Sequence, residues 1–226
     1  MPDRHHEVTR IEGFSDVVFG FALTLLVVSL EVPDSFDKLF EQMQGFVGFA
    51  LMFAMVCWIW YEHNKFFRRY GLQDPWTVFL NSVLLFVVLF YVYPLKFLTG
   101  ALMKGFFGLG GSNTPSFADA GNASTVMLLY STGIVTIFGM FILLYGHAWR
   151  RRNELGLSRF DEISLVFSRR SHIISASIGA ASLLLALALP HLSFIAGLVY
   201  LLMGPLHTWN GYQTGKAMDR ERAREA

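Results

Sequence analysis

The sequence predicts an all-α membrane protein of six transmembrane helices with both termini in the cytoplasm, and three observations carry that prediction. Of 226 residues, 54% are hydrophobic and only 15% charged, whereas a soluble domain carries roughly 25% charged residues. The apolar residues gather into six stretches, each near the ~20 residues that a helix needs to cross the hydrocarbon of a bilayer. Lys and Arg collect in alternate connections between those stretches, the pattern that fixes orientation in a membrane.

The first span is expected over about residues 14–32, entered through Phe14, Ser15 and Asp16 and closed by Pro33 and Asp34. It ends without a small-residue cleavage site, so it reads as a retained span and not a signal peptide. The second, about 45–63, is rich in Phe, Met and Val until the polar run Glu62, His63, Asn64, Lys65 ends it. Asp74 and Pro75 mark the turn into the third span, about 77–95, which is expected to stop at Pro94 and Lys96 and give way to an irregular glycine-rich stretch over 100–122. The fourth span covers about 125–148. A basic connector, Arg150 to Ser171, leads to the fifth, about 173–189, and Pro190 with His191 turns the chain tightly into the sixth, about 192–209. The connector interleaves Phe160, Ile163, Leu165, Val166 and Phe167 with charge, which suits either an amphipathic helix on the bilayer surface or a topogenic basic loop. No repeat at a fixed period occurs and no stretch is long enough for a separate soluble domain, so one membrane domain, 1–226, is expected.

Orientation follows from the distribution of the 18 basic residues. Fifteen fall in the N-terminal segment, the second-to-third and fourth-to-fifth connections and the tail; only Lys38, Lys96 and Lys104 fall on the other side. Basic residues in short loops stay cytoplasmic, which places both ends there. Trp58, Trp60, Tyr61, Trp76, Tyr145, Trp149, Trp209 and Tyr212 cluster at the same predicted ends, where amphipathic rings settle among headgroups.

Several function classes find no support. A formal net charge of +1 offers no phosphate-binding surface, so nucleic acid is not an expected partner. The single Cys57 forms no intrachain disulfide and no cysteine cluster for a metal. His147, His172, His191 and His207 are dispersed, without the spacing of a metal or haem site. Gly108 to Asn113 lacks the Lys-Ser/Thr ending of a phosphate loop, and neither HExxH nor GxSxG occurs. An enzyme, a cofactor and a bound metal are therefore not expected. Asn122, Ala123 and Ser124 match a glycosylation sequon on the predicted outer side.

Polar groups entering hydrocarbon are the default places to look for function, and they concentrate at the start of the first span: Arg10, Ser15 and Asp16. Arg10 and Asp16 are separated by about 120° around a helix, so each needs partners on another helix. The end of the second span, at the same predicted depth, offers His63 and Asn64 as donors and acceptors. A simpler reading makes Ser15 and Asp16 helix caps. Along the same span, positions 14, 17, 21, 25, 28 and 32 recur at threes and fours and form one apolar stripe. By pattern alone that stripe is either a packing seam or a pore lining.

The string Arg10-x-x-x-Phe14-Ser15-Asp16, followed by a Val, Phe, Leu and Thr span ending in Leu30, Glu31, Val32, Pro33, resembles the signature of the transmembrane protein 175 family, lysosomal potassium channels and their prokaryotic relatives. The resemblance implies a homotetramer of six-helix subunits in the cell membrane, a pore lined by the first helix of each subunit, and potassium as the permeating ion. It implies no conventional potassium filter, and no Thr-Val-Gly-Tyr-Gly loop is present. By the same resemblance the narrowest pore position, usually Ile or Leu, falls on Phe21, a polar threonine on Thr24, and further pore positions on Leu25 and Val28. Four such stripes would make a hydrophobic constriction that gates by dewetting. Phe21 departs from the family pattern, and its bulk bears on selectivity and conductance. Arg10, Phe14, Ser15 and Asp16 are assigned with His63 and Asn64 to a structural network; Asp16 lies about 140° from Phe21 and faces neighbouring helices. Glu31 at the outer end is placed to concentrate cations. Beside lipid, potassium and further copies of itself, no partner is implied. The alternative function is a secondary transporter, although the chain lacks repeats and a charge deep within a span.

Overall fold

The computed structural model describes residues 8–28, 33–108 and 123–225. Residues 29–32, which hold Glu31 and the expected end of the first span, lie outside the described residues, as do Arg4, most of the glycine-rich stretch and Asn122 of the sequon. All regular structure among the described residues is helical: α1 (Arg10–Val28), α2 (Phe36–Gln44), α3 (Phe46–Tyr70), α4 (Pro75–Phe107), α5 (Ala123–Arg150), α6 (Arg159–Ala188), α7 (Ser193–Leu198) and α8 (Met203–Glu225), with 3₁₀ turns at Pro190–Leu192 and Val199–Leu202. Five of them, α1, α3, α4, α5 and α6, are long and apolar enough to cross a membrane.

Two compact units divide the chain. The first takes α1, α2, α3 and the part of α4 from Leu85 onward; the second takes residues 72–84, α5, α6, α7 and α8.

In the first unit α1 lies along α3, and α2 packs on the start of α3. α3 runs past the polar residues expected to end it, because His63, Phe66, Phe67 and Tyr70 continue its buried face at helical spacing. It ends at Gly71, whose N–H donates to Phe67 O at 2.8 Å and whose positive φ of 58° turns the following chain out of the helix. α4 likewise continues through Pro94 to Phe107, beyond the expected stop near residue 95. One missing N–H is tolerated in a helix whose following turns are held by packing. That packing is close: a Cβ on Gly48 of α3 would lie 3.3 Å from Thr99 O and Met103 Cγ. α2 was not foreseen; its Phe36, Leu39, Phe40 and Met43 form an exposed apolar face at helical spacing.

The second unit is built around α6, which packs on α7 and α8. Ser158 and Asp161 start α6 with a reciprocal capping box, Ser158 Oγ donating to Asp161 Oδ2 at 2.7 Å and Asp161 N to Ser158 Oγ at 3.2 Å. The basic connector is therefore a turn followed by the opening of the fifth long helix, and not a separate surface helix. The segment expected as a continuous sixth span is broken into α7, a 3₁₀ turn and the start of α8. Pro205 explains the break: it cannot donate to Leu201 O, so the α-helical ladder is interrupted just upstream of it. Asp74 starts α4 by accepting from Thr77 N at 3.3 Å and Thr77 Oγ1 at 2.7 Å. His147 Nε2 at 3.0 Å and Arg151 at 3.3 Å bind the same carboxylate from α5 and the turn after it. Partial burial opposes its ionisation, but the Thr77 and His147 hydrogen bonds outweigh that and hold Asp74 at a pKa of about 2.

Candidate functional site

α1 begins one turn earlier than the apolar run suggests. Thr9 Oγ1 donates to Glu12 Oε2 at 2.7 Å and Thr9 N to the same oxygen at 2.8 Å, while Glu12 N donates to Thr9 Oγ1 at 3.3 Å. This capping box satisfies the first orphan donors of the helix. Ser15 and Asp16 therefore sit within the helix and are not its cap. The Ser15 hydroxyl donates to Ile11 O at 2.7 Å, an intrahelical bond of the kind that serine makes when the surroundings are apolar.

Two faces of α1 differ sharply. Glu12, Ser15, Phe19, Ala22 and Leu26 recur at threes and fours and are all buried. The opposite stripe is left open within the protomer: Phe14, Val17, Phe21 and Val28 are 60%, 56%, 62% and 72% exposed, and Leu25 and Thr24 are exposed with them. Thr24 Oγ1 donates its proton to Gly20 O at 2.8 Å, so the hydroxyl oxygen keeps its lone pairs for an electropositive partner.

The signature residues occupy the start of the same helix. Arg10 is exposed on the first turn. Asp16 accepts a hydrogen bond from Trp60 Nε1 of α3 at 2.7 Å. His63 is buried, its ring edge-on to Phe19 at 5.5 Å and tilted against Phe67 at 4.5 Å, while Asn64 beside it is half-buried. Trp60 is the residue that sequence reasoning counted only as an interfacial aromatic. Its indole N–H needs an acceptor wherever water is scarce, and Asp16 at the same predicted depth was the acceptor available. Glu62 is engaged by Lys65 at 3.1 Å. Among the described residues, no three His, Cys, Asp or Glu side chains stand together as a metal site.

α1 thus carries a carboxylate tied to an indole of α3 near its start and, along its length, an apolar stripe left open in the protomer with the Thr24 hydroxyl beside it. Residues 10–91 match the family model described as the endosomal/lysosomal potassium channel TMEM175. A protein of Marivirga tractuosa described as a potassium channel is 36% identical over 226 residues, covering 96% of this chain and 92% of its own length. The crystal structure of a variant of the potassium channel MtTMEM175, bound to a nanobody–MBP fusion, superposes with a TM-score of 0.81 at 35% identity, covering 94% of this chain and 96% of that one. A lysosomal potassium-selective channel homologue from Chamaesiphon minutus superposes with a TM-score of 0.56 at 22% identity, covering 89% and 96%, a likeness of fold alone.

Proposed function

This chain belongs to the TMEM175 family of potassium channels, an integral membrane family and not one of enzymes, and on that premise we propose that it conducts potassium through a pore lined by α1 of each subunit. One observation carries the reading: the stripe of Phe14, Val17, Phe21, Leu25 and Val28 is open in the protomer, while the opposite stripe is already packed. One chain supplies one such helix and a closed ring needs several; the family resemblance implies four, a homotetramer. It sits in the cell membrane with both termini in the cytoplasm, as the basic residues dictate.

In that ring Phe21 forms the narrowest point. Four aromatic side chains exclude water when close together, and a dewetted constriction blocks ions without a plug. Thr24, one turn further in, turns its oxygens toward a cation that has shed part of its hydration. Arg10, Ser15 and Asp16, with His63, Asn64 and Trp60, hold the angle at which α1 leaves α3.

Purified protein in liposomes with a potassium gradient tests the proposal. A membrane potential near the potassium equilibrium value, with no second solute present, is expected. Strict dependence on a coupling solute sinks it, and so does native mass spectrometry that finds only monomers.

A further inference from the structure

A cavity of about 250 Å³ lies in the second unit, between the end of α5, the first turns of α6 and the second half of α8. It is smaller than the ~300–1,000 Å³ of a site for a drug-sized molecule. Trp149, Ile163, Val166 and Phe167 make an apolar wall, and Arg159 and Arg170 stand on it. The carboxylates nearby already hold arginines of their own. Glu162 binds Arg159 at 2.7 Å and lies 3.7 Å from Arg152, and Glu221 lies 3.3 Å from Arg224. Arg170 is exposed and makes no ion pair among the described residues. The cavity thus offers one uncompensated guanidinium beside an apolar surface.

Helix length sets the depth of that cation. α6 has 30 residues, about 45 Å at 1.5 Å per residue, whereas the hydrocarbon core is about 30 Å thick. From Ser171 to Ala188 the helix carries no Asp, Glu, Lys or Arg, so this is the stretch that fits the core and Arg170 stands at its boundary. α8 is held to the same level, for Asn210 Nδ2 donates to Ser171 Oγ at 2.9 Å and to Phe167 O at 3.2 Å. One turn further, Lys216 Nζ lies 4.4 Å over the Tyr212 ring.

We propose that this groove binds the phosphate of an anionic phospholipid from the surrounding leaflet, with Arg170 as its ligand. A guanidinium presents paired donors that match a phosphate, and basic pockets between helices at this level suit anionic headgroups. The apolar wall favours an amphiphile over a hydrated free anion, because a free anion would lose solvent there and gain one cation only. This assignment rests on α6 crossing the membrane, not on conduction.

Binding is measured on the purified full-length protein in detergent by native mass spectrometry, titrating phosphatidylglycerol, phosphatidylcholine and inorganic phosphate. Phosphatidylglycerol is expected to bind tightest, and Arg170→Gln to weaken it roughly fivefold, the weight of one cation near an anionic surface. Arg68→Gln, a cation at the end of α3, leaves that affinity unchanged. Ala217→Trp fills the groove with Arg170 intact and weakens phosphatidylglycerol as well. Equal losses in Arg170→Gln and Arg68→Gln overturn the site, as does inorganic phosphate binding as tightly as the lipid. No ion flux enters this readout, so its failure leaves the conduction reading standing. Conversely, absent flux in phosphatidylcholine liposomes leaves the lipid site standing.

Discussion

α1 and α6 are both long, apolar helices, yet they use their surfaces in opposite ways. α6 buries a stripe of small and polar residues, Ser164, Ser168, His172, Ser175, Gly179, Ser182 and Ala186, at threes and fours along its length. The stripe is stitched to the rest of its unit: Ser131 Oγ donates to Ser182 Oγ at 2.9 Å and lies 3.0 Å from Tyr200 OH, and Ser175 Oγ lies 3.0 Å from His207 Nε2. The ring of His172 stacks on Phe141 at 4.8 Å. α1 instead leaves its bulkiest stripe uncovered. In lipid there is no hydrophobic drive to bury one apolar side chain against another, so helices associate through small residues, close packing and hydrogen bonds. A small polar stripe is thus a seam within the chain, and a bulky apolar one is left for lipid or for further copies of the protein.

The largest effect expected from this contrast concerns Phe21. Phe21→Ala widens the proposed constriction and should raise potassium flux per molecule about tenfold in liposomes, equivalent to on the order of 1.4 kcal/mol off the barrier. An unchanged flux would remove the stripe from the conduction path and reduce α1 to a lipid-facing helix.

Glycine substitutions sharpen the comparison in terms of stability. A Cβ on Gly179 would lie 2.8 Å from Ile134 Cγ2 and 3.2 Å from Val135 Cγ2. Both belong to β-branched side chains stiff at χ1, so Gly179→Ala should cost about 1–3 kcal/mol. The same change at Gly20 of α1 meets nothing within 4 Å; it should leave the unfolding temperature in detergent unchanged or slightly raised. Equal losses at the two sites would mean that α1 is as tightly enclosed as α6.

Asp74 tests how the second unit is fastened. Its carboxylate titrates near pH 2, below the ordinary value of 3.8, so its contribution is complete above pH 3.8 and is lost as pH falls through about 2. Asp74→Ala removes a helix cap and should destabilise by about 1 kcal/mol at neutral pH. Denaturation midpoints followed from pH 5 to pH 2 should then fall less in the variant than in the parent. The smallest effect is expected for Ser182→Ala, about 0.6 kcal/mol, the average worth of an interhelical hydrogen bond in a membrane protein. A loss above about 2 kcal/mol there would show that the serine seam, and not close packing, holds α6.

Much of the helical layout was legible because hydrophobic length is a strong signal, and for α5 the expected and observed bounds differ by two residues at each end. Ends were less legible where tertiary contacts override local punctuation. Glu62 to Lys65 looked like a terminus, but the buried aromatic face through Tyr70 carries α3 two turns further. Pro94 looked like a stop, but the contact of α3 at Thr99 and Met103 supports the helix beyond it. Of the signature residues, periodicity set Asp16 apart from the open stripe; its partner Trp60, 44 positions away, carries no local mark that separates it from the other interfacial aromatics.

Composition, charge placement and the spacing along the first span were enough to determine a helical membrane chain, its expected orientation and the family signature at Arg10, Phe14, Ser15 and Asp16. These are sums over local properties, and lipid solvent reads them residue by residue. Which face of α1 is covered and which is open, where Trp60 points, and how an unpaired Arg170 comes to border a groove were decided only by the tertiary structure. Each depends on helices far apart in the chain meeting at one depth, and in an apolar solvent that meeting is chosen by shape and hydrogen bonding, not by hydrophobicity.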